Sequence, residues 1–527
     1  MIPRISIWPI LLGIAASTAA FGQLAPQNHE TPKSEEYLLL GNVNRGAGEP
    51  IVFVNPKDHD NIIVTAMATL NRLPGGETPI LPRGTQAAID LRIKELSTPD
   101  GSVTDIAVTR DGGKTWDFSQ DKFREQLSKN RCSDSFAGAG PDGKLYFGCL
   151  AYLDRGSADY AEGYDPKNGE ARDYHGGSAI AWSYDKGRTW SFPTWVHPAH
   201  SPALYAPTVH PVFEQASPWD RPIFVADPQK GTIYLSGSGP AYTVDPATVH
   251  RPKVDHSLGG AKGYTGYPGN DISRSRTFLR ASHDGGFTWG MIYPMDSDEY
   301  PGGRGGFSAA YGHLVVAYGA AKVPAKDNAK CPCTVLGVSD DDGKTFTYRV
   351  VPPLPQTQAA APAGGRGGRG GFGGGGAMVG ADPTKDGRYA IARQSGSDLY
   401  VSVTQDDGRT WGQPILAVQL PAGANFGQRA MKFGPHGDLG IIWKQQYADR
   451  SYDAWSSVMR AGTNSFKTVR VSHAVSPPYI PERGNFMFGD DLSSVDLDDH
   501  YLHVVWGDNR AGFEATWYGR VPLEAYQ

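Results

Sequence analysis

The sequence predicts an all-β fold assembled from repeated four-stranded antiparallel modules, and three observations predict it. One eight-residue pattern returns five times along the chain. Each copy closes a stretch with the same order of strand, Asn/Asp-Pro or Asp-Gly turn, and strand. The 527 residues include 66 Gly and 40 Pro, with 39% hydrophobic and 20% charged residues. That composition suits many short strands joined by turns and leaves little room for long amphipathic helices.

The pattern is Thr109-Arg-Asp-Gly-Gly-Lys-Thr-Trp116, Ser183-Tyr-Asp-Lys-Gly-Arg-Thr-Trp190, Ser282-His-Asp-Gly-Gly-Phe-Thr-Trp289, Ser339-Asp-Asp-Asp-Gly-Lys-Thr-Phe346 and Thr404-Gln-Asp-Asp-Gly-Arg-Thr-Trp411. Its chemistry is that of a hairpin turn: the Asp accepts hydrogen bonds from turn amides, the Gly takes a positive φ, and the closing aromatic packs on the strands. Asp111, Asp185, Asp284, Asp341 and Asp406 are therefore assigned to structure, because the same Asp recurs in every module while a catalytic site occurs once. The pattern resembles the Asp box, S/T-x-D-x-G-x-T-W/F, of the BNR-repeat proteins in the sialidase-like β-propeller superfamily. The resemblance spans nearly all of the chain after its first residues. It implies a β-propeller in which the boxes lie on the face away from the active site.

Seven modules can be counted. They begin near Pro50, Cys132, Trp219, Gly302, Ala377 and Gly427, and the last is a boxless stretch from Phe488. The sixth ends in a decayed box, Ala461-Gly-Thr-Asn-Ser-Phe466. The seventh supplies three strands, and Tyr37 to Val43 supplies the fourth, closing the ring without exposed edges. The expectation is a seven-bladed β-propeller of four-stranded antiparallel blades over residues 37–527, with a six-bladed sialidase-type ring as the alternative. Before it, Arg4, an apolar run and small residues to Gly22 read as a signal peptide over 1–22, followed by a leader over 23–36. The apolar run is too short to span a bilayer, so a secreted or periplasmic location and a monomer are expected.

The formal net charge of −5 gives no basic footprint for nucleic acid or an anionic membrane. Outside the cytoplasm disulfides are permitted, and Cys132 with Cys149, flanking one hairpin, is the favoured pair. Cys331-Pro-Cys333 is open between a bridge, free thiols and a metal site; zinc is disfavoured because no second ligand pair accompanies it. The Gly/Arg-rich tract within 363–376 cannot bury apolar surface and reads as a flexible loop. Its Arg-Gly repeats are a weak RNA signal. Long insertions, roughly 71–101, 151–177, 195–218, 239–271 and 353–376, carry Tyr and Trp suited to stacking on sugar rings, on the face opposite the boxes.

Where inner strands begin, charged residues converge on the central pore: Glu49, Asp134, Asp220, Arg221, Arg304, Arg429, Asp490 and Asp491, with Arg45 just upstream. A sialidase holds its substrate carboxylate with three Arg, because a guanidinium fork bonds both oxygens; Arg45, Arg304 and Arg429 are the candidates here, with Asp134, Asp220 and Arg221 as further substrate contacts. The family's Arg-Ile-Pro is replaced by Gly48-Glu49-Pro50, and its nucleophilic Tyr region reads Phe488-Gly-Asp-Asp-Leu-Ser493, with Trp506 and Asp508 at the position of its Tyr-Glu pair. Asp490, Asp491 and Glu49 are the candidate catalytic carboxylates of a two-carboxylate glycoside hydrolysis. No cofactor is required; a structural or pore-bound cation such as calcium could take the same oxygens. The expected function is an exported sialidase-like propeller that acts on or binds glycans, as a glycosidase with a non-standard site. The alternative is a non-catalytic propeller recognising a surface glycan or protein.

Overall fold

The computed structural model describes residues 32–43, 45–70, 102–118, 131–152, 176–191, 194–198, 213–216, 220–244, 253–254, 264–265, 272–302, 305–355, 377–477 and 492–527. The expected signal peptide, the leader up to residue 31, most of the insertions and the Gly/Arg-rich tract lie outside these residues.

Seven antiparallel blades follow one another along the chain. Their innermost strands are Arg45–Asn55, Arg131–Ala139, Asp220–Ala226, Gly306–Ala310, Met378–Ala381, Asn425–Phe433 and Ser493–Leu497, in blades 1 to 7. Each packs beside the inner strand of the next blade, and that of blade 7 packs against that of blade 1, so the ring closes at seven. Blades 2 and 4 to 7 have four strands. Blade 3 has four along its main path and a fifth, Phe213–Ala216, on its second strand. Blade 1 has three among the described residues, and Asp117 bridges Val108 where a fourth strand would begin.

Blade 7 takes its outermost strand from the N-terminal side of the domain. Glu35–Leu40 pairs antiparallel with Ala515–Pro522. The strand starts two residues earlier than the sequence reading placed it, and charge explains the extension: Arg520 bonds Glu35 through Nε and Nη2 at 2.9 and 2.6 Å, and Arg510 forks onto Glu36 at 2.9 and 2.8 Å.

Seven hydrophobic clusters hold the ring, one at each seam between blades. Strand alternation produces them, since successive side chains point to opposite faces of a blade. In blade 2, Ala137, Phe147 and Ala181 enter the cluster shared with blade 1, while Phe136, Tyr146 and Trp182 enter the cluster shared with blade 3. Every blade is thus buried on both faces, which explains why its strands read as nearly continuous apolar runs.

The five repeated turns share one hydrogen-bond set. In the first, Thr109 Oγ1 donates to Asp111 Oδ1 (2.7 Å) and accepts from Gly113 N (3.0 Å); Asp111 then accepts from Thr115 N (2.9 Å) and Thr115 Oγ1 (2.6 Å). The same bonds recur around Asp185, Asp284, Asp341 and Asp406. The opening hydroxyl, which the sequence reading left without a role, is the hub that ties amide to carboxylate. The Gly at the fifth position has φ between +79° and +96° in all five. In the decayed sixth turn the missing Asp is supplied from elsewhere in its blade: Asp438 Oδ1 accepts from Ala461 N at 2.6 Å and Arg460 Nε at 3.1 Å.

Two sequence expectations gain detail. Cys331 and Cys333 are disulfide-bonded to each other, and Cys149 is disulfide-bonded, while the side chain of its expected partner Cys132 lies outside the described residues. The segment from Gly239 was read as a loop insertion; the second strand of blade 3 instead runs on to Val244, because Ile272–Ser282 stays paired with it as far as Ile272 opposite Tyr242.

Candidate functional site at the pore mouth

The turns joining first to second strands share a face with the repeated turns: Pro56 to Asp60 and Asp111, Gly112 and Lys114 line one cleft of about 560 Å³. The inner strands therefore begin at the opposite face. Glu49 lies six residues before Asn55, roughly 20 Å away along an extended strand.

At that opposite end the ladder slips at equivalent points. Bulges fall between Gly48 and Ile51, Ser133 and Phe136, and Asp220 and Ile223, in blades 1 to 3. The residue held in each is charged and in the left-handed region: Glu49 at φ +52°, Asp134 at +45° and Arg221 at +57°. A non-glycine residue costs about 1 kcal/mol or more there, and such strain concentrates where a side chain must be aimed. The bulges are also linked across blades, since Asp134 Oδ2 accepts from Arg221 N at 3.1 Å. The sequence carried a usable signal: a charged residue, then Pro or Ser, then Ile or Phe, six residues before Asn55, Gly140 or Asp227. Charge at the start of an inner strand singles out these three residues in the sequence, and their shared backbone state emerges only in the fold.

Blade 6 slips between Phe426 and Arg429. Arg429 is only 4% exposed. Its Nη1 donates to Gln394 Oε1 at 2.7 Å, and its guanidinium lies 5.1 Å from the Phe426 ring. Both partners are neutral, and no carboxylate partners Arg429 among the described residues. Burial pushes its pKa down to about 10, which leaves it cationic at neutral pH. Arg393, beside Gln394, is built alike: it donates to Pro352 O and Ser402 Oγ, both at 2.8 Å, and burial takes it to about 10. Two buried cations whose partners among the described residues are all neutral are costly to fold, because each gives up hydration without a counter-charge there.

The remaining candidates divide. Arg45 is committed to an ion pair, its Nη2 lying 2.9 Å from Asp105 Oδ1. Asp220 begins the inner strand of blade 3 opposite Ser238, and its side chain lies outside the described residues. Arg304, Asp490 and Asp491 lie outside them entirely. Asp508 is fully buried and saturated: it accepts from Ser476 Oγ, Trp506 Nε1 (3.0 Å) and Arg510 N (2.9 Å), with Arg510 Nε at 3.2 Å. It locks blade 7 and has no lone pair left for chemistry. Among the described residues no group of three or more His, Cys, Asp or Glu is placed to hold a metal ion, and no helix is long and apolar enough to cross a membrane.

No family model matches the sequence, and no curated protein matches it. Solved structures similar in shape do exist. A protein of unknown function from Dyadobacter fermentans is 12% identical over 92% of this chain and 97% of its own, with a TM-score of 0.44. Sialidases stand beside it. The NanB sialidase of Streptococcus pneumoniae is 12% identical over 89% of this chain and 84% of its own, TM-score 0.41. A leech intramolecular trans-sialidase is 15% identical over 81% and 74%, TM-score 0.40. At such values the likeness carries no argument about chemistry, which rests on the residues described above.

Proposed function

We propose that this chain is an exported, sialidase-like propeller that recognises an acidic glycan at its pore mouth, and that its five repeated turns are Asp boxes of the BNR type. The observation that carries the reading is Arg429: a residue 4% exposed, charged at neutral pH and held among the described residues by neutral partners only, paired with Trp443 directly after the slip in its inner strand. A carboxylate on the ligand would supply the missing counter-charge through two parallel hydrogen bonds. The strained carboxylates of Glu49 and Asp134 face hydroxyl-rich ligands equally well, since carboxylates accept from sugar hydroxyls.

Turnover is the second reading, favoured by the buried carboxyl of Glu49, 6% exposed, a setting in which one carboxyl can serve as acid or base against another. Asp490 and Asp491 are its proposed partners. The test is binding of sialylated and uronic-acid oligosaccharides against neutral ones, together with hydrolysis of a panel of aryl glycosides, sialosides included. The expected outcome is selective binding of acidic glycans, weakened in Arg429→Met. Aryl release lost in Glu49→Gln and in Asp490→Ala/Asp491→Ala would establish a glycosidase. Binding without release would establish a recognition propeller, and equal affinity for neutral and acidic glycans would sink the reading.

A further inference from the structure

The five repeated turns provide an internal control for their own surface. Their second, fourth and sixth positions vary in residue type and are exposed or half-buried, and nearly all of them carry Arg, Lys, Asp, His, Gln or Gly. Two do not. Tyr184, second in the turn of blade 2, is 70% exposed, and Phe287, sixth in the turn of blade 3, is 54% exposed. They meet at one seam. Lys144 Nζ lies 5.2 Å from the Tyr184 ring and 5.4 Å from the Phe287 ring, and it also faces Tyr146 at 4.9 Å and Trp182 at 5.3 Å. The ammonium donates to Gly285 O at 2.6 Å, and the Phe287 ring leans on Trp182 with centroids 4.6 Å apart. The two exposed rings are thus held in place from beneath by a nearly buried cation and by packed aromatics, while their outer sides are open.

We infer that Tyr184 and Phe287 form a second glycan site on the face opposite the pore mouth, stacking on the apolar C–H face of an uncharged pyranose in a polysaccharide. Three features favour this occupant. The ammonium already satisfies the cation–π capacity of the rings on their inner side, so a further cation gains little there. Among the described residues the apolar patch is two side chains wide, with Met291 at 47% exposure the only other large exposed apolar residue in this turn region; a stable protein interface needs on the order of 800 Å² per partner. Polar groups flank the rings, Arg188 and Asp185 within the blade 2 turn and His283 in the blade 3 turn, which matches the alternation of C–H faces and hydroxyls on a sugar. Only the class of ligand is shared with the pore-mouth reading; the residues are separate.

The test is electrophoresis of the full mature protein in native gels containing hydroxyethyl cellulose, glycol chitin, xylan or galactomannan. Wild type is expected to be retarded in at least one gel. In Tyr184→Ser/Phe287→Ser the apparent Kd rises tenfold or more, while Tyr184→Trp/Phe287→Trp keeps the retardation, and the thermal midpoint of the Ser variant stays within a few degrees of wild type because both rings are solvent-exposed. No retardation in any gel, or retardation unchanged in the Ser variant, overturns the inference. Retardation lost in Arg429→Met but kept in the Ser variant overturns it too, by assigning polysaccharide binding to the pore mouth. Failure of the pore-mouth reading looks different: acidic oligosaccharides are then not bound selectively, whatever happens in the gels.

Discussion

The two faces of the ring are built on opposite principles. On the face of the repeated turns, five copies of one sequence make one set of bonds, with the same hydroxyl, carboxylate and glycine at each place. At the pore mouth the inner strands of blades 1 to 3 share only a backbone device, the bulge, and each holds a different side chain in it, Glu49, Asp134 or Arg221, while blade 6 slips just before Arg429. Repetition marks what the scaffold needs, because identical turns solve the same folding problem in each blade. Divergence on a shared backbone is what the proposed glycan site would need, because one ligand would meet each blade from a different side.

The largest expected effect probes that contrast at the pore mouth. Arg429→Met should lower affinity for an acidic glycan by about 100-fold, roughly 2.7 kcal/mol, while raising unfolding stability by about 1 kcal/mol, since a buried guanidinium without counter-charge is replaced by an apolar chain of similar length. Isothermal titration and denaturant unfolding read the two together; a variant that loses stability as well as affinity would make Arg429 a scaffold residue.

On the other face the effects should fall on stability and leave the pore mouth unchanged. Asp185→Ala removes an acceptor of bonds from Thr189 N, Thr189 Oγ1, Arg188 N and Ser183 Oγ, and it should cost about 1–3 kcal/mol with binding of acidic glycans at the pore mouth unchanged. Asp284→Ala should cost about the same, because its bond set matches. Unequal costs from matched bonds would show that the turns are not equivalent modules.

Acid should expose the same carboxylates. The hydroxyl of Thr115 holds Asp111 at about 2, and the backbone amide of Thr410, with its hydroxyl, does the same for Asp406. At Asp185 and Asp284 burial pulls the other way but is outweighed by the bonds from Thr189 and Thr288, again giving about 2. A carboxylate whose pKa is lowered on folding adds stability that is complete above its unfolded value near ~4 and is lost as pH falls towards about 2. Stability should therefore drop steeply between about pH 4 and pH 2, and Asp111→Asn should flatten that slope, as thermal melts across the range would show.

The smallest effect concerns strain. Lys186, Asp342 and Asp407 occupy the fourth turn position at φ +60° to +63°, where two of the other turns have Gly112 and Gly285. Lys186→Gly should stabilise by a few tenths of a kcal/mol, with the relief of strain partly offset by the greater freedom of the unfolded chain. The corresponding change at the pore mouth, Arg221→Gly, should relieve similar strain and reduce binding. Equal affinity in wild type and Arg221→Gly would mean that the bulge aims nothing at the ligand.

The fold was legible because its information is local and repeated. Five turns could be matched by eye, and the continuous apolar runs of blades buried on both faces left few alternatives. The count of seven also followed from the sequence, by way of modules whose boxes are decayed or absent. The site was less legible. Glu49, Asp134, Arg221 and Arg429 were chosen as charged residues where inner strands begin, and the resemblance that offered Arg429 as a carboxylate clamp also offered Arg45, which the fold spends on Asp105. Asp508, placed by resemblance where a catalytic pair would stand, is spent on Ser476, Trp506 and Arg510.

By itself the sequence determined the repeating unit, the order of the blades and the strand that closes the ring, since each depends on turn chemistry or on alternation over a few residues. Only the tertiary structure decided which charged groups are already paired and which are buried with neutral neighbours. Arg45 and Asp105 are sixty residues apart in the chain, Gln394 and Arg429 belong to different blades, and Lys144 of blade 2 meets Phe287 across the seam with blade 3. Desolvation and charge pairing depend on proximity in space, and proximity across a closed ring is set by the blades together.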